Sequence, residues 1–118
     1  MLPLELTLPY PPSVNSYWGF HGHRRFLTAK AIEFKKAVTI EVSRHLSRYG
    51  KSRLDITIIP FPPDKRARDI DNIVKPTLDA LVQAGLFDDD SQVDRLSVKR
   101  GGVVAGGKTI VYVQVVDS

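Results

Sequence analysis

The sequence predicts an α+β domain in which a mixed β-sheet is packed by two helices on one face. Four short segments alternate apolar and polar residues at the period of a strand. Two longer segments place apolar residues at helical spacing, and proline and glycine clusters punctuate the boundaries. The 118 residues are one domain's worth, so residues 1–118 are expected to fold as a single unit. A hydrophobic fraction of 42% is enough for an ordinary core.

Leu4, Leu6 and Leu8 alternate with Glu5 and Thr7, which gives a half-buried strand stopped by Pro9 and the Pro11-Pro12 pair. Residues 9–26 read as irregular structure or a small hairpin, rich in Asn15, Tyr17, Trp18, His21, His23, Arg24 and Arg25. Thr28 is the expected N-cap of a long helix. Its apolar stripe is Phe34, Val38, Val42, Leu46 and Tyr49, with His45 on the same side, and Gly50 ends it. Leu54, Ile56 and Ile58 alternate with Asp55 and Thr57 in a second strand that stops at Pro60.

A second helix is expected to bury Val74, Leu78, Leu81 and Val82 and to end near Gly85. Asp71 or Asn72 is its candidate cap. Pro76 removes a backbone donor early in this helix, so the first turn is expected to be irregular or to start late. Residues 93–100 and 109–116 read as two final strands, paired as a hairpin, with Gly101-Gly102 and Gly106-Gly107 between them. The order of main elements is β-α-β-α-β-β.

Composition narrows the function classes. There is no cysteine, which excludes disulfides, thiolate zinc sites and a cysteine nucleophile. Met1 to Glu5 has no positive n-region and no long apolar run, so it does not read as a signal peptide. No segment approaches the roughly 20 apolar residues that span a bilayer. These features fit a cytoplasmic protein. The formal charge of +4 and a pI near 9.5 favour a polyanionic partner.

Two knots of aspartate stand out against this basic background. The first is Arg68-Asp69-Ile70-Asp71-Asn72, preceded by Lys65 and Arg66; the second is Asp88-Asp89-Asp90-Ser91. Carboxylates this close repel one another unless a cation sits among them. Loop aspartates are usual ligands for Mg²⁺, which takes one or a few carboxylates and keeps several waters. In an extended segment Asp69 and Asp71 leave the same face, and the helix between the knots can return Asp90 to join them. Asp88, Asp89 and Asp94 stand in reserve. Such a metal would activate a water and neutralise charge on a phosphodiester. Lys75, four residues after Asp71, is placed to contact the phosphate or the leaving group.

Each feature has a plainer reading. Asp-x-Asp-Asn can be a turn with a helix cap, and Asp88–Asp90 a solvated loop. Lys75 can be a helical ion pair with Asp71 or Asp79, worth a few tenths of a kcal/mol. His21 and His23 read as incidental loop residues, and His45 as a partly buried structural one. The four glycines near the C-terminus fit no phosphate-binding motif, and a flexible connection is their default.

Three segments in order resemble the RusA family of Holliday junction resolvases. They are Leu8-Pro9-Tyr10-Pro11-Pro12-Ser13-Val14-Asn15; Asp69-Ile70-Asp71-Asn72 with Lys75 and Asp79-Ala80-Leu81; and Asp89-Asp90-Ser91-Gln92-Val93. The resemblance spans nearly the whole chain. It implies a homodimeric endonuclease of bacterial or phage origin that resolves four-way DNA junctions by paired, Mg²⁺-dependent nicks, with Mn²⁺ able to substitute and no small-molecule cofactor. It places the catalytic and metal-holding aspartates at Asp69, Asp71 and Asp90, with Asp89 as an accessory ligand, and the essential lysine at Lys75. Lys65, Arg66, Arg68, Arg24, Arg25, Asn15 and Asn72 are the expected DNA-contacting residues. The alternatives are a DNA-binding protein that no longer cuts and a metal-dependent nuclease for other branched nucleic acids.

Overall fold

In the computed structural model, which describes residues 3–116, the chain runs through six strands and three α-helices. Met1 and Leu2 of the segment read above as lacking signal-peptide features lie outside the described residues. In order the elements are β1 (Leu4–Leu8), α1 (Val14–Tyr17), β2 (Trp18–His21), β3 (Arg24–Leu27), α2 (Ala29–Ser43), β4 (Leu54–Phe61), α3 (Val74–Gln83), β5 (Val93–Val98) and β6 (Lys108–Val115). Single 3₁₀ turns at Ile70–Ile73 and Asp90–Gln92 precede α3 and β5.

The main sheet has the order β1-β6-β4-β5. It is mixed: β6 pairs antiparallel with β1 and β4, and β5 pairs parallel with β4. The expected hairpin between the last two strands is therefore not formed. A parallel neighbour needs a crossover, and α3 provides it between β4 and β5. The chain then passes β4 and enters the sheet on its other side. The expected mixed sheet stands, with a different pairing.

One row of the sheet is buried: Leu6, Leu8, Leu54, Ile56, Ile58, Val111 and Val113. They join Phe34, Val38 and Val42 of α2 and Leu78 and Leu81 of α3 in one apolar cluster. Both long helices thus cover the same face, as their stripes predict. Phe87, 1% exposed, is the largest fully buried side chain of that core.

Thr28 caps α2 as expected, its hydroxyl accepting from Ala31 N at 3.3 Å. The helix nevertheless ends at Ser43, well before Gly50. Its last turn tightens, with Arg44 N bonding Glu41 O and His45 N bonding Val42 O, both at 3.1 Å. Leu46 is fully exposed and not on the stripe. Tyr49 still reaches the core, but by a turn in which its amide bonds Leu86 O at 2.9 Å. Gly50 serves that turn with φ +53° rather than capping a helix. A tertiary anchor outcompetes local helix propensity here.

β4 runs through Pro60 to Phe61, so the proline does not stop it. The N–H and C=O of one residue point to the same side of a strand. The Pro60 carbonyl accepts from Gly101 N at 2.8 Å, where β5 has already ended, so the missing N–H leaves no ladder bond unmade. The glycine-rich connection is correspondingly packed. A Cβ at Gly101 would stand 2.4 Å from the Phe61 ring. Residues 14–27 form α1 and the β2–β3 hairpin; the hairpin is an option the sequence left open, and the short helix is not.

Candidate active site

Asp69 is extended (φ −75°, ψ 131°), and the chain turns immediately after it into the 3₁₀ turn. Its carbonyl accepts from Asn72 N at 3.2 Å. Neither Asp71 nor Asn72 caps α3; Asp71 lies in the first turn of the 3₁₀ segment, and Val74 N bonds its carbonyl. The same-face alternation expected of an extended Asp69–Asp71 pair therefore does not apply. Pro76 explains the irregular start. It falls in the first turn of α3, where its missing N–H is an orphan anyway, and its ring disfavours a longer regular run before it. The Asp69 and Asp71 side chains are exposed, and neither is engaged by a hydrogen bond or ion pair among the described residues.

The second knot is held together by Gln92, a residue to which the sequence alone assigns no role. Asp89 caps the 3₁₀ turn Asp90–Gln92, accepting from Ser91 N at 2.9 Å, in a capping box with Gln92. Those bonds from Ser91 hold the Asp89 carboxyl below its ordinary range. Gln92 is 5% exposed. Its Oε1 accepts from Asp88 N at 3.1 Å and Asp89 N at 2.9 Å. Its Nε2 donates to Gly50 O at 2.8 Å and Ser52 O at 2.7 Å. One buried amide thus ties the acidic knot to the turn before β4. The Asp-x-x-Gln spacing was the available sequence signal.

Lys75, on the helix that follows the first knot, pairs with the second. Its Nζ lies 2.9 Å from Asp90 Oδ2 and 2.9 Å from Asp79 Oδ1. It pairs with Asp79, one of the two plainer options, and not with Asp71. The Asp90 and Asp79 carboxylates together hold the ammonium above its ordinary range. Asp90 itself is half-buried at the start of its turn.

Among the described residues, no three His, Cys, Asp or Glu side chains converge into a metal-holding cluster. The donor set still fits Mg²⁺. Asp69 and Asp71 offer unengaged carboxylates on the connection into the helix that carries Lys75, and Mg²⁺ is commonly held by one or two carboxylates plus substrate phosphate. The exposure of both aspartates leaves room for such a phosphate.

Basic residues gather beside the first knot. Arg68 is half-buried and pairs with Asp64 at 2.8 Å. The Arg68 guanidinium, and then the Arg66 amide, pull the Asp64 carboxyl down to about 2. Lys65 and Arg66 are exposed. Arg100, absent from the sequence-derived set, joins them and donates to the Arg68 carbonyl. Arg24 and Arg25 lie on the separate β2–β3 hairpin, with the Arg25 guanidinium 3.9 Å from the Trp18 ring centroid. Asn15 is exposed on α1, Asn72 is exposed next to Asp71, and His21 and His23 are exposed at the hairpin end. His45 is half-buried with Nε2 3.9 Å from Glu41, in keeping with a structural residue.

The chain matches the family model described as endodeoxyribonuclease RusA over residues 9–116. It is 40% identical over 116 residues to the crossover junction endodeoxyribonuclease of Enterobacteria phage HK97, covering 97% of this chain and 96% of that protein. The crossover junction endodeoxyribonuclease of Shigella sonnei (strain Ss046) is 35% identical over 105 residues, covering 88% of each chain. That of Enterobacteria phage 82 is 34% identical over the same length, again with 88% of each covered.

Proposed function

The chain belongs to the RusA family of endodeoxyribonucleases, and we propose that it resolves four-way DNA junctions by metal-dependent hydrolysis of a phosphodiester in each of two opposed strands. The observation that carries this reading is the 2.9 Å contact between Lys75 and Asp90, which draws the second acidic knot onto the helix that starts at the first. Asp69, Asp71 and Asp90 are the residues that would hold Mg²⁺, with Mn²⁺ as a substitute. When bound, the metal activates a water and offsets charge developing on the phosphate. Asp89 is a weaker ligand candidate, because its carboxylate is already used as a cap.

The side chains supply the rest. Lys75 would donate from Nζ toward the scissile phosphate or the leaving oxygen, held in place by Asp79. Lys65, Arg66, Arg68, Arg24 and Arg25 meet the phosphate backbone, and Asn15 and Asn72 add neutral donors. Binding is therefore strongly salt-dependent. Two symmetric cuts need two sites, so the active species is a homodimer with one site per arm pair. Residues 1–118 act as one domain, in the cytoplasm of a bacterium, whether the gene is bacterial or of phage origin. No helix among the described residues is long and apolar enough to cross a membrane.

The test is cleavage of a synthetic four-way junction beside a linear duplex of the same sequence, with Mg²⁺ and with EDTA. Paired nicks in the junction alone, lost in EDTA, are expected. Equal cutting of duplex or of forked DNA assigns a general nuclease, and binding without cutting assigns an inactive binder; either overturns the proposal.

A further inference from the structure

We propose that the cleft beside Asp69 receives one unstacked nucleotide of the strand that is cut, which makes it a site of base or branch selectivity. This rests on the nuclease reading above. The cleft lies between the proline-rich segment after β1 and the loop leading to α3, and holds about 550 Å³. That is within the roughly 300–1,000 Å³ typical of small-ligand sites. Tyr10, Pro12 and Pro63 give it apolar, rigid surface, while Lys30 and Arg66 give it positive charge next to Asp69.

The apolar part is built by a close approach. Gly107 has φ +71°, and a Cβ there would stand 2.8 Å from Tyr10 Cβ and 3.2 Å from Pro63 Cδ. Only glycine fits that backbone beneath both residues. The Arg68 guanidinium lies 5.8 Å from the Tyr10 ring centroid, so ring and cation are presented together. A bare phosphate would use the cations but not the ring and prolines. A stacked base pair would keep its base faces covered. A single extruded nucleotide uses both, its base against Tyr10 and its phosphate on the cations. Bases at a branch point are the cheapest to extrude, because their stacking is already interrupted. Because Asp69 lines the same cleft, that nucleotide would adjoin the phosphate being cut.

The experiment uses the full chain and four-way junctions carrying 5-iododeoxyuridine at each nucleotide flanking the mapped cut, in turn. Ca²⁺ replaces Mg²⁺ so that the strand stays intact, and cross-linked peptides are mapped after irradiation. The expected result is a cross-link to Tyr10 from a single nucleotide position. It is retained in Tyr10→Phe and lost in Ala67→Phe, which fills the cleft from an exposed position while the junction is still bound. Ala67 is exposed and outside the core cluster, so Ala67→Phe removes no core contact. Two results overturn the cleft assignment alone: junction binding without any Tyr10 cross-link, or undiminished cross-linking in Ala67→Phe. Failure of the wild type to bind a junction overturns the nuclease reading with it.

Discussion

Lys75 on α3 reaches Asp90, fifteen residues later in the chain, with Nζ 2.9 Å from Oδ2. The same ammonium lies 2.9 Å from Asp79, one helical turn along. Two carboxylates therefore hold one cation at the seam between the crossover helix and the strand it feeds. An exposed pair of this kind adds little to stability. Its effect lies in placement. Lys75→Ala is expected to slow single-turnover junction cleavage by roughly 10²–10³-fold, the cost of one aimed donor. Junction affinity in a mobility-shift assay should stay near the wild-type value. A normal cleavage rate would make Lys75 a surface ion pair and nothing more.

Asp69 and Asp71 show the opposite condition, exposed carboxylates that no described residue engages. Uncompensated charge of this sort is what a metal would neutralise. Asp69→Asn and Asp71→Asn keep the shape and remove the charge. Each is expected to cut at least roughly 10²-fold more slowly in Mg²⁺. Binding in Ca²⁺ should be retained or improved, because repulsion of the phosphate falls. Calorimetric titration with Mn²⁺ should show weakened binding in both, and full cleavage by both would remove the metal mechanism.

Which parts of this site were readable from sequence follows from the range of the forces involved. The strand alternation at Leu54–Ile58 and the Phe34–Val38–Val42 stripe are local, and both fold as read. The end of α2 at Ser43 was not legible, because it is set by Tyr49 docking on Leu86 across the core. The pairing of β5 is not legible for a related reason. Two short strands with glycines between them resemble a hairpin, and only the α3 crossover shows that β5 lies beside β4. At the site, the acidic knots were visible as charge, but their partners were not. Asp90 with Lys75, Asp64 with Arg68, and Gln92 with the 50–52 turn are contacts of geometry and not of composition.

The Asp64–Arg68 pair gives a pH signature. The Arg68 guanidinium and the Arg66 amide lower the Asp64 pKa to about 2, below the ordinary value near 3.8. A depressed carboxylate pKa means that the unfolded chain binds protons more readily. Its stabilising contribution is complete above the unfolded value and is lost as pH falls through the folded value. The window is therefore between about 4 and about 2. Carbon-detected NMR titration should show Asp64 still ionised at pH 3. In Asp64→Asn, Arg68 loses its charged partner, and junction binding should become more sensitive to salt. A titration of Asp64 near its ordinary value would show that the pair does not hold Arg68 in solution.

Gln92 carries the strongest structural prediction. Its side-chain amide satisfies two backbone donors of the acidic knot and two carbonyls of the turn at Gly50–Ser52. Gln92→Leu keeps the volume but strips these partners from a position that is 5% exposed. Asp88 N retains a bond to Gly50 O at 3.0 Å, so the loss falls mainly on Asp89 N and the Ser52 carbonyl. Leaving such groups unpaired costs about 1–3 kcal/mol each, so the variant should be roughly 2–6 kcal/mol less stable in urea unfolding. The capping box goes with it, and Asp90 is then no longer fixed opposite Lys75. Junction cleavage should fall even at temperatures where the variant is fully folded. Lost stability with an unchanged cleavage rate would confine Gln92 to the fold and separate the knot's scaffold from its chemistry.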